Sequence, residues 1–225
     1  MIKISPDLMS IWKYKGFTLN ATILFTWILM AFMIFFSWLA TRNLKVEGRV
    51  SRWQIFLEGL VSYMRLQIEG IMGQKTDYYL PFIGTLFLFI SLSNFLLIVP
   101  GYHAPTGSLS TTAALALCVF LAVPIFGILQ RGWKNYFRHY IRPTIFMLPF
   151  HVMGEITRTF ALAIRLFGNI MSEALLGSIL LIVAPLFFPI LLDILGLIIG
   201  QVQAYIFSAL AAIYIASGVS VTLKE

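Results

Sequence analysis

Five long apolar stretches, separated by short polar or basic segments, set the pattern of the chain. They cover about residues 17–40, 80–99, 109–130, 149–183 and 190–221; Pro100-Gly101 closes the second and Pro124 lies inside the third. Each passes the length of about 18 apolar residues at which a membrane-spanning helix becomes the default reading. The pattern predicts an all-α membrane protein with about five transmembrane helices, forming a single integral membrane domain over residues 1–225. Residues 49–73 differ: apolar positions alternate there with Arg52, Glu58, Arg65 and Glu69. That segment is expected to be an amphipathic helix lying along the membrane surface.

The last two stretches are too long for a simple crossing. About 32 helical residues reach about 48 Å, against a hydrocarbon core of about 30 Å. They are expected to form a long, strongly tilted hairpin. The chain of 225 residues is 60% hydrophobic and only 11% charged, which leaves no composition for a sizeable soluble domain. The net charge of +7 is assigned to cytoplasmic loops rather than to nucleic-acid binding. Arg42, Lys45, Arg49, Arg52, Arg65 and Lys75 follow the first span, and Arg131, Lys134, Arg138 and Arg142 follow the third. The 100–108 and 184–189 loops hold no Lys or Arg. This bias predicts an outer N-terminus and a cytoplasmic C-terminus, with Lys3, Lys13 and Lys15 opposing it in the minority. No cleavable signal peptide is expected at the mixed, polar start. Cys118 is the single cysteine, so neither a disulfide framework nor a thiol metal site is expected.

Against this apolar background, the fourth stretch carries a polar stripe. His151, Glu155, Arg158, Arg165, Asn169 and Glu173 are spaced 4, 3, 7, 4 and 4 apart. At about 100° per residue they fall within an arc of about 80°. An arginine at mid-bilayer costs about 2.5–3.5 kcal/mol on insertion scales, so intramembrane ionisable residues point to function. A pairing of Arg165 with Glu155 or Glu173 would be the purely architectural explanation. Those residues lie ten and eight positions away, beyond direct i, i+4 reach. In the fifth stretch Asp193, Gly196, Gly200, Gln203, Ala204, Phe207 and Ala211 share one side. Gly196 and Gly200 form a small-xxx-small pattern suited to close helix packing, whereas the Gln203 amide needs a polar partner.

Counting from the span ends puts Arg165 and Gln203 at similar mid-membrane depth. Glu173 and Asp193 fall toward the outer side; His151, Glu155, Tyr214 and Ser217 fall toward the inner side. The layout is two polar half-paths meeting at a fixed cation. Arginine stays protonated because its pKa exceeds 12, and it favours the ionised form of a carboxylate brought within about 4–6 Å. Such a device fits a mobile carboxylate on a partner subunit that releases its ion at Arg165 and reloads from the other half-path.

IRLFGN at 164–169, with QAYIF at 203–207, resembles subunit a of F-type ATP synthases, the membrane stator beside the rotating c-ring. NFLLIVPG at 94–101, PTGSLSTTAALAL at 105–117 and YFRHYIRPTIFMLPF at 136–150 resemble further landmarks of that family, in order. The resemblance implies that Arg165 faces the c-ring carboxylate, that Asn169 and Gln203 are the polar positions beside it, and that Glu173 is the acid of the outer half-channel. It implies as partners the c-ring, peripheral-stalk b subunits, membrane lipid and, indirectly, a soluble ATPase sector. Two positions depart from the family pattern. The acid commonly stands nine residues after the arginine, but Glu173 stands at eight and Ala174 at nine. Gly196 occupies a position where some members carry a His or Glu coupled to that acid, so the outer path is expected to lean on Glu173, Asp193 and water. Glu155 and His151 are assigned to the inner path on depth alone.

No Walker pattern occurs, so neither nucleotide, cofactor nor metal is expected in this chain, and no catalytic site. A secondary transporter would call for broken helices and internal repeats, and none is visible. An intramembrane hydrolase would need a Ser/His pair or two facing Asp, which the spans do not offer. The coupling ion stays open between proton and sodium, as does the membrane: a bacterial plasma (inner) membrane, or an organelle inner or thylakoid membrane.

Overall fold

The computed structural model describes residues 10–14, 17–42, 52–73, 76–99, 102, 104–133, 147–183 and 188–220. A short antiparallel hairpin comes first, β1 (Ser10–Tyr14) paired with β2 (Phe17–Asn20). The first helix therefore begins four residues later than the apolar run: Phe17–Asn20 is extended, and α1 covers Ala21–Thr41. Then come α2 (Arg52–Met72), α3 (Leu80–Phe95), α4 (Leu109–Arg131), α5 (Met147–Val183) and α6 (Phe188–Ser220). Five of them, all but α2, are long and apolar enough to cross a membrane. The protein is an all-α membrane protein apart from the small β-hairpin. The basic 134–146 segment and the 184–187 turn lie outside the described residues.

Helix ends follow local chemistry. α2 stops where Gly73 takes φ +72° and its N–H returns to the Glu69 carbonyl at 2.9 Å. α4 stops in the same way at Gly132, φ +76°, with a 2.8 Å bond to the Ile128 carbonyl. Both are left-handed positions that glycine adopts without a Cβ penalty. At the end of α1 the Arg42 guanidinium lies 5.1 Å from the Trp38 ring centroid.

α6 is the central element, packing against α2, α3, α4 and α5. Its buried Ala204, Phe207 and Ala211 meet Leu86 and Ile90 of α3, Ala116 and Val119 of α4, and Leu162 and Leu166 of α5. Ala212 and Ile215 meet Ile68, Ile83 and Val123 in a second cluster. The amphipathic helix is part of this assembly. α2 buries Gln54 and Ile68, and Tyr205 of α6 donates a 2.9 Å hydrogen bond to Gln67 Oε1 of α2. Arg65 pairs with Asp77 and, at 3.9 Å, with Glu69. The remaining apolar surface faces outward along every span, for example Trp27, Phe35, Phe160, Ile182 and Ile198. Such a surface is stable in hydrocarbon and too large for water.

α5 has 37 residues and α6 has 33, so each is about 50 Å long or more. Both outrun a bilayer core of about 30 Å. Crossing it obliquely is the geometry that keeps their apolar sides out of water.

Candidate functional site

The polar stripe of α5 divides once its neighbours are in place. Leu162, Leu166 and Ile170 are buried against α4 and α6. Asn169 and Glu173 sit beside that buried flank and are half-buried, as is Glu155. Arg158 and Arg165 are exposed. Among the described residues Arg165 makes no hydrogen bond and no ion pair. Among the described residues no carboxylate pairs with that guanidinium, as the architectural explanation would require. His151 belongs to α5 by its backbone; its side chain lies outside the described ones.

A second stripe flanks the arginine. Gly154, Thr157, Ala161, Gly168 and Ser172 recur at intervals of three, four, seven and four, an arc of about 60° that lies next to Arg165. Thr157, Ala161 and Ser172 are exposed, and nothing lies within 4 Å of a Cβ built at Gly154 or Gly168. The Thr157 hydroxyl donates to its own helix at Met153, 2.8 Å. Along this face the backbone of α5 is accessible to another helix, and one fixed positive charge projects beside it.

Two clefts open at opposite ends of the hairpin. Near the turn, a cavity of about 190 Å³ is lined by Glu173, Ala174 and Ser178 of α5, by Asp193 and Leu197 of α6, and by Ile98. Near the open end, a cavity of about 20 Å³ is lined by Glu155, Arg158 and Thr159 of α5, by Tyr214 and Ser217 of α6, and by Phe120. The first has room for several waters and the second for about one. Arg165 lines neither cleft. Thus Glu173 and Asp193 do share a space, and Glu155, Tyr214 and Ser217 share another.

The face of α6 holds as expected for Gly196, Gly200, Gln203, Ala204, Phe207 and Ala211, all buried, whereas Asp193 is exposed. What approaches the two glycines is side chain. A methyl group at Gly196 would overlap the carboxylate of Glu173. At Gly200 a Cβ would meet the side chain of Asn94 at 3.0 Å, and Asn94 Nδ2 donates to the Gly200 carbonyl at 2.8 Å. Two polar groups, from α5 and α3, therefore enter α6 one turn apart, each because glycine leaves room.

Asn94 anchors a buried polar cluster that the hydropathy pattern does not reveal. Thr106 Oγ1 donates to Asn94 Oδ1 at 3.3 Å and lies 3.2 Å from Ser93 Oγ. Burial pushes the nearby Tyr102 phenol above the ordinary value, with the Ser93 hydroxyl opposing the shift. Three residues earlier, Ser91 Oγ donates to Gln201 Oε1 at 2.5 Å, while Gln201 Nε2 donates to the Ser91 carbonyl at 3.0 Å. The signal for these positions was faint, since Asn94 is the single carboxamide in an otherwise oily span and Ser91 and Ser93 read as ordinary small residues.

Two amides of the stripe contrast with that satisfied cluster. Asn169 Nδ2 and Gln203 Nε2 are buried with no hydrogen-bond partner among the described residues. An unsatisfied buried donor costs about 1–3 kcal/mol, so these groups are suited to donate to water or to an incoming carboxylate. Among the described residues no cluster of three or more His, Cys, Asp or Glu gathers as a metal site.

Five apolar helices, two of them forming an overlong hairpin that carries an arginine unpaired among the described residues and acid-lined clefts at both ends, define a polytopic helical membrane protein. A family model for the ATP synthase A chain matches residues 23–216, and the chain belongs to that family. It is 56% identical over 222 residues to ATP synthase subunit a 1 of Crocosphaera subtropica, covering 99% of this chain and 96% of that protein. It is 53% identical over 214 residues to ATP synthase subunit a 1 of Chlorobaculum parvum, covering 95% of each. ATP synthase subunit a of Albidiferax ferrireducens is 51% identical over 216 residues, covering 96% of this chain and 94% of that protein.

Proposed function

We propose that this chain is the ion-translocating stator subunit of a rotary F-type ATP synthase. Arg165 is the fixed charge that a carboxylate on a rotating ring of c subunits must pass. One observation carries this reading. Arg165 is exposed in the middle of a span and unpaired among the described residues, on the edge of a stripe of small residues open to a partner helix. A permanent cation facing hydrocarbon is expensive; facing a partner's acid it is stabilised, and it favours release of the ion that the acid carries.

The excess of basic residues after the first and third spans supports a cytoplasmic C-terminus and an outer N-terminus in a bacterial membrane. The turn-end cleft with Glu173 and Asp193 is then the outer access path, and the open-end cleft with Glu155 and Tyr214 the inner one. His151 belongs to the inner path by its place on α5. Asn169 and Gln203 supply donors beside the arginine. Each elementary charge crossing a potential of 100 mV contributes about 2.3 kcal/mol, which the offset of the two clefts turns into sideways motion of the ring. The peripheral-stalk b subunits hold the chain against that motion, and the soluble sector carries the nucleotide chemistry.

Purification in mild detergent tests the assignment: the chain should emerge with a c-ring and soluble ATPase subunits, and isolation as a lone transporter would refute it. Arg165→Ala should abolish ion-driven ATP synthesis in the intact complex. Sodium protection of the c-ring carboxylate against carbodiimide assigns sodium as the coupling ion; labelling indifferent to sodium assigns protons.

A further inference from the structure

The inner cleft contains a second fixed charge for which the two-path scheme has no role. Arg158 lies seven residues before Arg165 on α5, about 10.5 Å along the axis and within about 20° of the same face. Its guanidinium does not reach outward alone: it sits 5.6 Å from the ring centroid of Tyr214 on α6. That contact spans the cleft that Glu155, Thr159, Ser217 and Phe120 also line, a space of about 20 Å³. The cleft is therefore both small, with room for about one water, and lined by a cation that cannot be neutralised, since a guanidinium stays protonated.

We propose that Arg158, stacked on Tyr214, is the gate of the inner cleft. This rests on the reading of α5 and α6 as the ion path. With the guanidinium over the ring, a cation between Arg165 and the inner surface meets a fixed like charge beside a space with room for about one water. When the guanidinium leaves the ring, its flexible stem carries the charge aside and the passage widens toward Glu155. A cation–π contact is strongest where water is scarce, so the closed arrangement dominates and the open fraction sets the flux. Arg158 touches neither the ring carboxylate nor Arg165; it acts through access, as a positioning residue. The hydroxyls nearby are already committed, Ser217 donating to the Tyr214 carbonyl at 2.8 Å and Thr159 to the Glu155 carbonyl at 2.9 Å.

The test uses membrane vesicles carrying the complex stripped of its soluble sector, with charge movement recorded under an imposed diffusion potential. Arg158→Gln and Tyr214→Leu should each raise conductance about three- to tenfold, the range that loss of a cation–π contact predicts, and Tyr214→Phe, which keeps the ring, should restore the low value. A structural contact alone would lower assembly and leave conductance per assembled complex unchanged. Conductance per complex at or below the unmodified level in both Arg158→Gln and Tyr214→Leu overturns the gate. Arg158→Lys provides a second measurement, because it keeps the charge but lacks the planar group that stacks. Combined with Ser217→Cys in the intact complex, it should speed labelling by a water-soluble maleimide from the inner side several-fold, and an unchanged rate overturns the gate. Arg165→Ala separates the two levels. If that variant still synthesises ATP, the ion-path reading itself fails. If it is inactive while the Arg158 and Tyr214 variants conduct as before, only the gate fails.

Discussion

Glu173 of α5 rests its carboxylate on Gly196 of α6, in the space where any larger residue would put its Cβ. The pair joins the two arms of the hairpin at the cleft that Asp193 also lines, and it gives the eight-residue spacing from Arg165 a physical meaning. At eight positions the acid stays within about 80° of the arginine's direction and meets α6. At nine, Ala174 is exposed instead.

Gly196→Ala should therefore displace the Glu173 carboxylate. ATP synthesis driven by an imposed ion gradient is expected to fall about tenfold with the complex still assembled. The same substitution made in a Glu173→Ala background should cause little further loss, because the overlapping group is gone. Coupling between contacting residues of about 1 kcal/mol or more is the expected scale. Additive losses in the four-variant cycle would dismiss the contact.

Glu173→Gln keeps the shape and removes the charge. It should slow ion uptake from the outer side about tenfold without reducing the amount of complex recovered. Ion flux into vesicles of known orientation is the measurement, and unchanged flux would remove Glu173 from the path.

Arg165→Lys should remain severely impaired even though the charge is kept. A lysine offers a compact, strongly hydrated point charge in place of a planar fork with five donors. Coupled synthesis measured in vesicles should fall at least about a hundredfold, and near-normal coupling would refute the role given to Arg165.

Asn94→Ala removes the donor to the Gly200 carbonyl and the acceptor for Thr106. The expected loss is about 1–2 kcal/mol of stability, typical of a buried hydrogen bond left half-made in a membrane protein. Thermal inactivation in detergent should move down by several degrees, while Thr106→Val, which removes only the hydroxyl bonded to Asn94 Oδ1, should move it less; an equal shift would refute the primacy of the Gly200 bond.

Much of this arrangement was legible in the sequence because hydrocarbon enforces simple rules. Five apolar runs gave five helices within a few residues, since a spanning segment must satisfy its backbone internally. Only the start of the first run misled, where Phe17 and Leu19 are as apolar as the helix that follows yet lie in β2. The stripe from Glu155 to Glu173 was legible for the same reason, as polar residues there stand out by their cost. Hydropathy does not report which neighbour a side chain meets. Gly196 and Gly200 read as seats for a helix backbone, and the residues that fill them, Glu173 and Asn94, come from α5 and α3. Ser91 and Gln201 are 110 positions apart, a pairing that no local period contains. α2 read as a surface amphipathic helix, and that alternation does not report that its Gln67 meets Tyr205 of α6.

The stitches between α3 and α6, Asn94 to Gly200 and Ser91 to Gln201, lie at adjacent positions on α6. In hydrocarbon no solvent stands ready to take over a carboxamide pulled from its mate. Shifting α6 along α3 by one residue, about 1.5 Å, would break both links at once. The two links thus fix one register of α6 against α3 and oppose any sliding between them.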